Sequence, residues 1–225
     1  MKITTGVCAS IIEKDKKNVI EAVKKLSDDD VDYMELRLDA IENVTTELAR
    51  DTIESVKSIT SKPIILTNRT QEEGGLFQGT EDERVKILKE NAPLAEITDI
   101  ELNTESKLRQ SVIDNANRTI ISYHNFERTP AQECLQTIID EAVQLGGIPK
   151  IAVKPNSTED TYIILRLLME NRGIIAISMD KIGSYTRIIA PLMGSPVTYA
   201  AIDNESAPGQ LDVKTTSQII KKLKK

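Results

Sequence analysis

The chain has 225 residues, 40% of them hydrophobic and 28% charged, with a formal net charge of −6. This is a globular composition that excludes a disordered or fibrous chain, and its mild acidity gives no electrostatic basis for a nucleic-acid partner. No apolar run reaches the ~18–20 residues of a membrane span, the opening MKITTGVCAS does not have the pattern of a signal peptide, and Cys8, Cys134 and the single histidine, His124, are too few and too scattered for a Cys/His metal site.

Taken in chain order, short β-rich runs alternate with stretches of helical spacing. The predicted strands are Ile3–Ala9, Tyr33–Asp39, Pro63–Arg69, Glu96–Leu102, Thr119–His124, Ile148–Val153, Ile174–Met179 and Val197–Ile202. Helices fill the gaps, among them Lys17–Leu26, Thr46–Ile59, Glu81–Glu90, Pro130–Leu145, Glu159–Asn171 and Thr215–Lys224. Thr129-Pro130 reads as an N-cap followed by Pro at the first helical position, and Gly146-Gly147 as the stop of that helix. Ser157 is a further N-cap candidate, with Glu159 and Asp160 in the first turn. Eight βα units in one chain predict an α/β fold, a (β/α)₈ TIM barrel forming a single domain over residues 1–225. A doubly wound open sheet is the alternative, but no Gly-rich phosphate fingerprint follows the first strand. Cys8 falls in an apolar strand-like run and Cys134 in a helix-like one. Both read as buried or inert thiols, in keeping with a reducing, cytoplasmic setting.

Side chains alternate between the bore and the helix layer along each barrel strand. In the second strand Met34, Leu36 and Leu38 take the helix side, which sends Glu35, Arg37 and Asp39 inward. The same parity aligns Thr67 with Arg69, Asp99 with Glu101, Ser122 with His124, and Lys150 with Ala152 and Lys154. Burying so many charges is costly unless they are paired or used, which points to a site at the barrel mouth. An inward lysine beside other cations becomes a neutral amine able to form a Schiff base with a carbonyl. His124 is the acid–base partner, and Arg37, Arg69 and Arg187 are candidates to clamp a carboxylate. Strand-end position alone favours Lys154 as the nucleophile. The residues thus predict a Schiff-base lyase acting on an anionic carbonyl compound. An aldolase for sugar phosphates and a non-catalytic barrel remain as alternatives.

Seven ordered segments extend this reading: ELRLD at Glu35–Asp39, TNRTQEEGG at Thr67–Gly75, SYHNFERTP at Ser122–Pro130, IPKIAVKP at Ile148–Pro155, SMDKIGSYTRI at Ser178–Ile188, GSPVTYA at Gly194–Ala200 and SAPGQL at Ser206–Leu211. Through them the chain resembles the type I 3-dehydroquinate dehydratases of the shikimate pathway, from about Gly6 to Leu211. The resemblance implies a cofactor-free, metal-free dehydration of 3-dehydroquinate to 3-dehydroshikimate by a homodimeric barrel. It implies Lys150 as the Schiff-base lysine in place of Lys154, His124 as general base and acid, and Glu73 as the carboxylate that orients the histidine. It further implies that Glu35, Arg37, Arg69, Arg187, Tyr199, Ser206 and Gln210 line the substrate site. The stretch from Asn204 to Gln210 then reads as a lid. Three positions depart from the family pattern: Lys154 where Met is common, Tyr199 where Phe is common, and Asn125 where Asp is frequent, its side chain expected on the face away from His124.

Overall fold

The computed structural model describes residues 5–26, 30–202 and 209–224. Eight strands form one parallel sheet in the order β7-β6-β5-β4-β3-β2-β1-β8. They are β1 (Gly6–Ile11), β2 (Tyr33–Arg37), β3 (Ile64–Thr67), β4 (Ile97–Glu101), β5 (Thr119–Asn125), β6 (Ile148–Val153), β7 (Ile175–Ser178) and β8 (Val197–Ala201). Around them run α1 (Lys16–Lys25), α2 (Thr46–Lys57), α3 (Glu81–Asn91), α4 (Ser106–Ile113), α5 (Gln132–Gln144), α6 (Thr158–Glu170), α7 (Asp180–Gly183), α8 (Thr186–Leu192) and α9 (Val213–Leu223). The first and last strands pair, Cys8 with Tyr199 and Ala9 with Ala200, which curls the sheet into a nearly closed (β/α)₈ barrel. Among the described residues no helix is long and apolar enough to cross a membrane.

The predicted inward parity holds along β2 for Glu35 and Arg37 but not for Asp39, because β2 ends at Arg37 and the chain turns through a 3-10 helix, Leu38–Ala40, that sets Asp39 against an outer cleft. Met34, Leu36 and Leu38 pack into the outer core with the helices. Tyr33, Ile65, Ile97, Ile120 and Val197 form an apolar plug inside the bore. This plug closes one end, so the charged inward residues gather toward the C-terminal ends of the strands, as the fold requires of a barrel site.

Many element ends differ from the sequence reading by one or two residues, and two of the differences have a clear physical cause. The first strand runs to Ile11 rather than Ala9, because Ser10 and Ile11 pair with Glu35 and Leu36 of β2; Ile3 lies outside the described residues. Thr129 does not cap α5. That helix starts at Gln132 after Ala131, with no side-chain cap, and the Thr129 hydroxyl instead donates to the Lys154 carbonyl at 2.9 Å. This bond ties the loop after β5 to the end of β6. The other caps are as expected: Ser157 and Asp160 make a reciprocal capping box on α6, and Gly146 ends α5 at a φ of 75°. Cys8 is buried, but Cys134 is exposed on α5. Helix α5 turns only one stripe to the barrel, through Leu135, Ile139 and Ala142, and Cys134 lies off that stripe.

Candidate active site

Strand alternation delivers ionisable side chains to the bore from five consecutive strands or their ends: Glu35 and Arg37 from β2, Arg69 just past β3, Asp99 and Glu101 from β4, His124 from β5 and Lys150 from β6. A cavity of about 120 Å³ at this mouth is lined by Glu35, Arg37, Arg69, Glu73, His124 and Lys150. Arg187 enters it from α8, Tyr199 from β8, and Gln210 from the segment before α9. Ser206 and most of the predicted lid lie outside the described residues; only its last two positions, Gly209 and Gln210, are described. Larger clefts lie outside the bore. One of about 810 Å³ runs between the turn after β2 and α3, and one of about 660 Å³ reaches Glu73 and His124 from the outside. The inner cavity is the one that brings Lys150, His124 and Glu35 together with Arg37, Arg69 and Arg187.

Lys150 Nζ sits 2.8 Å from Asp99 Oδ2 and 3.9 Å from Glu35 Oε1, and it lies 4.2 Å above the centre of the Tyr199 ring. Its nearest charges are therefore carboxylates, not the cations expected from the sequence. Asp99 is shared: its Oδ1 also takes Arg69 Nη2 at 2.9 Å and the Ser122 hydroxyl at 2.7 Å. Burial alone would raise the Asp99 pKa, but Arg69 and then Lys150 outweigh it and hold this carboxyl well below the usual carboxylate range. Glu35 is fixed by Ser10 at 2.8 Å and Thr67 at 3.0 Å.

The arginines divide their roles. Arg69 spends its fork on Asp99 and Glu101, at 2.9 and 2.8 Å. Arg37 is bidentate to Asp39 at 2.8 and 2.7 Å, and Asp39 in turn accepts the Arg69 and Leu76 amides. Both therefore brace the loop that follows β3, although each lines the cavity. Arg187, buried within α8, donates from Nη1 to the Tyr199 carbonyl at a long 3.5 Å. Lys154 is absent from the cavity wall. Its amide donates to Asn125 and its carbonyl accepts from Thr129, so it belongs to the loop junction, against the strand-end expectation. Asn125 turns away from His124, its Oδ1 accepting the amides of Glu127 and Arg128.

Glu73 Oε2 lies 2.9 Å from His124 Nδ1 and also accepts the His124 amide at 2.9 Å. The Glu-Gly-Gly run has a steric reason. Gly74 has a φ of 81°, and a Cβ there would sit 2.6 Å from the Phe126 ring; a Cβ on Gly75 would sit 2.0 Å from the Arg69 carbonyl oxygen. These glycines let the loop fold back so that Glu73 reaches the histidine. Burial, followed by the Arg69 and Lys150 cations, pushes the His124 pKa well below its ordinary value, which keeps the ring neutral. Burial, with Glu101 adding, pushes Glu73 up to about 7. The arrangement is a neutral imidazole held by a carboxyl, facing an amine across a small cavity. That set can move a proton beside a carbon bound to the lysine. Asp99 and Asn103 were not picked out as site residues from the sequence. The inward parity of ITDIE carries the signal for Asp99; Asn103 carries none, because only the fold brings it to Glu73.

The raised Glu73 pKa gives a stability prediction. A carboxyl whose folded pKa is near 7 stabilises the fold while protonated and loses that contribution as pH rises through 7. Relative to a reference near 4.5, the charge at high pH costs about 3 kcal/mol. Glu73→Gln is therefore expected to be more stable than the parent at pH 8 by about that amount. The gain should shrink to under about 1 kcal/mol at pH 5. Urea unfolding at the two pH values checks it; a gain independent of pH would contradict the assignment.

The model of the family described as type I 3-dehydroquinase matches residues 7–225. A 3-dehydroquinate dehydratase of Methanothermobacter thermautotrophicus is 39% identical over 221 residues, covering 98% of each chain. A type I 3-dehydroquinate dehydratase from Clostridium difficile, solved with covalently modified comenic acid, superposes with a TM-score of 0.92 at 30% identity, covering 99% of this chain and 93% of that one. The enzyme from Aquifex aeolicus superposes with a TM-score of 0.84 at 33% identity, covering 96% and 97% of the two chains.

Proposed function

The chain belongs to the type I 3-dehydroquinase family, with the hydro-lyase activity of a 3-dehydroquinate dehydratase, and from that premise we propose how its barrel mouth carries out the reaction. The observation that carries the proposal is the shared cavity: Lys150 and His124 line it together, and Glu73 holds the histidine at 2.9 Å.

Lys150 gives up its proton and attacks the substrate ketone through Nζ. The carbinolamine hydroxyl takes up that proton and leaves as water, giving an iminium, an electron sink that acidifies the neighbouring C–H. His124, neutral because it is buried among cations, takes that proton. The C–H electron pair moves toward the iminium nitrogen and returns to expel the hydroxyl, which leaves as water with the proton from His124. Hydrolysis of the conjugated iminium consumes one water and frees the product and Lys150. The net change is the loss of one water. Asp99 and Glu35 flank the developing iminium and stabilise its charge. Arg187 binds the substrate carboxylate, Tyr199 walls the site, and Gln210 with Ser206 closes it. Gly209 lies pressed against the start of α7, where a Cβ would meet the Asp180 carbonyl oxygen, and this places Gln210 at the cavity. A homodimer and a cytoplasmic setting belong to the same reading.

The test is a borohydride trap with 3-dehydroquinate, read by intact mass and peptide mapping. A reduced adduct on the peptide carrying Lys150 is expected, with none from sugar phosphates. An adduct on Lys154 would keep the chemistry and overturn the residue assignment.

A further inference from the structure

Glu73 forms a wall between two spaces. One of its faces borders the inner cavity with Lys150, and the other borders the outer cleft of about 660 Å³. Its two oxygens are used differently. Oε2 serves His124, through both the ring Nδ1 and the backbone amide, whereas Oε1 accepts the side-chain amide of Asn103 at 3.0 Å. Asn103 lies two residues beyond β4, exposed in the outer cleft, and does not line the inner cavity.

We propose that Asn103 is a positioning residue for the proton-transfer pair, acting from the outer cleft to keep Glu73 anionic and so set the tautomer of His124. This rests on the proposed role of His124 as general base. With Glu73 ionised, Nδ1 carries the hydrogen and Nε2 keeps its lone pair for the substrate. With Glu73 protonated, its hydroxyl donates to Nδ1, the ring hydrogen moves to Nε2, and the base is blocked. The Asn103 amide donates more strongly to the carboxylate than to the carbonyl oxygen of the protonated acid, so it favours the working tautomer.

The charges around Glu73 leave this contact influential. Arg69 electrostatically favours the Glu73 anion, Glu101 opposes it, and His124 shares its Oε2. The outer cleft adds Glu72, Glu81 and Glu105, with Arg84 already bound to Glu81 and Glu101. On the inner side stand Lys150, paired with Asp99 and near Glu35, and Arg37, paired with Asp39. The outer cleft is thus predominantly acidic, and within it the Asn103 amide donates to Glu73. The direction of the Glu73 shift, upward by burial with Asn103 opposing, agrees with this balance.

His124 is the only histidine in the chain, so its ring nitrogens can be read without assignment in histidine-labelled protein. In the parent, ¹⁵N shifts near pH 8 are expected to show Nδ1–H. In Asn103→Ala the Nε2–H form should gain population at neutral pH. The acid limb of kcat should move to higher pH, and kcat at pH 7 should fall roughly tenfold with KM nearly unchanged, the scale of one hydrogen bond to a charged group. Asn103→Asp, which sets a second carboxyl against Glu73, should move the limb further, and Asn103→Gln should recover part of the loss. An unchanged tautomer and acid limb in both Asn103→Ala and Asn103→Asp would overturn the proposal, as would a fall in kcat equal at every pH. The ring signals report the tautomer whether or not 3-dehydroquinate is consumed, so a failure of the catalytic reading would show separately as no turnover by the parent.

Discussion

Lys150→Met is expected to lower turnover of 3-dehydroquinate by at least about 10⁵-fold, the scale at which an enzyme loses its nucleophile. It should also abolish the borohydride adduct. The fold should survive with reduced stability. In the parent the ammonium stands 2.8 Å from Asp99 and 3.9 Å from Glu35, all three buried. Removing it leaves two buried carboxylates facing a thioether, at a cost of about 3 kcal/mol. Asp99 keeps Arg69 and Ser122, which limits the damage to one broken pair. Single-turnover assays and urea unfolding measure the two effects. Turnover within tenfold of the parent would sink the Schiff-base mechanism.

Arg69→Gln is expected to have the largest effect on stability, about 4 kcal/mol, because it removes one cation from two buried anions at once. Arg69 is 3% exposed and joins Asp99 to Glu101, with the Ser122 hydroxyl at 2.6 Å. Glu101 retains Arg84, but Asp99 is left with Lys150 and Ser122. The pH dependence has a definite sign. Asp99 has a depressed folded pKa, so its contribution is present above the unfolded value near 3.8 and is lost as pH falls toward the folded one. With Arg69 gone the depression shrinks, and acid unfolding should begin at a higher pH. His124 should move in the same direction: Arg69 is the foremost charge holding its pKa down, so the ring should protonate at higher pH. Acid unfolding curves and the single histidine resonance read both. A variant of parental stability would show that the chain of ion pairs is not what holds the mouth of the barrel.

Much of this arrangement was legible in the chain. The alternation of Met34 and Leu36 with Glu35 and Arg37 is a statement about period two, and a parallel sheet buried on both faces leaves it one solution. The ends of α5 and α6 were equally local, set by Gly146 and by Ser157 with Asp160. Thr129-Pro130 failed as a cap for a nonlocal reason. Its hydroxyl found the Lys154 carbonyl on the neighbouring strand, which no local pattern encodes.

The sequence by itself determined the barrel, the inward faces of its strands and the identity of the groups gathered there, because hydrophobic periodicity and residue chemistry are local properties. Only the tertiary structure decided which charges meet. It set Lys150 among carboxylates rather than cations, turned Arg37 and Arg69 into braces, kept Lys154 out of the cavity and brought Asn103 to the back of Glu73. Apart from Arg37 with Asp39, these pairings depend on separations of a few ångströms between residues 30 or more positions apart, as Asn103 and Glu73 are. Those separations are set by strand register and loop path.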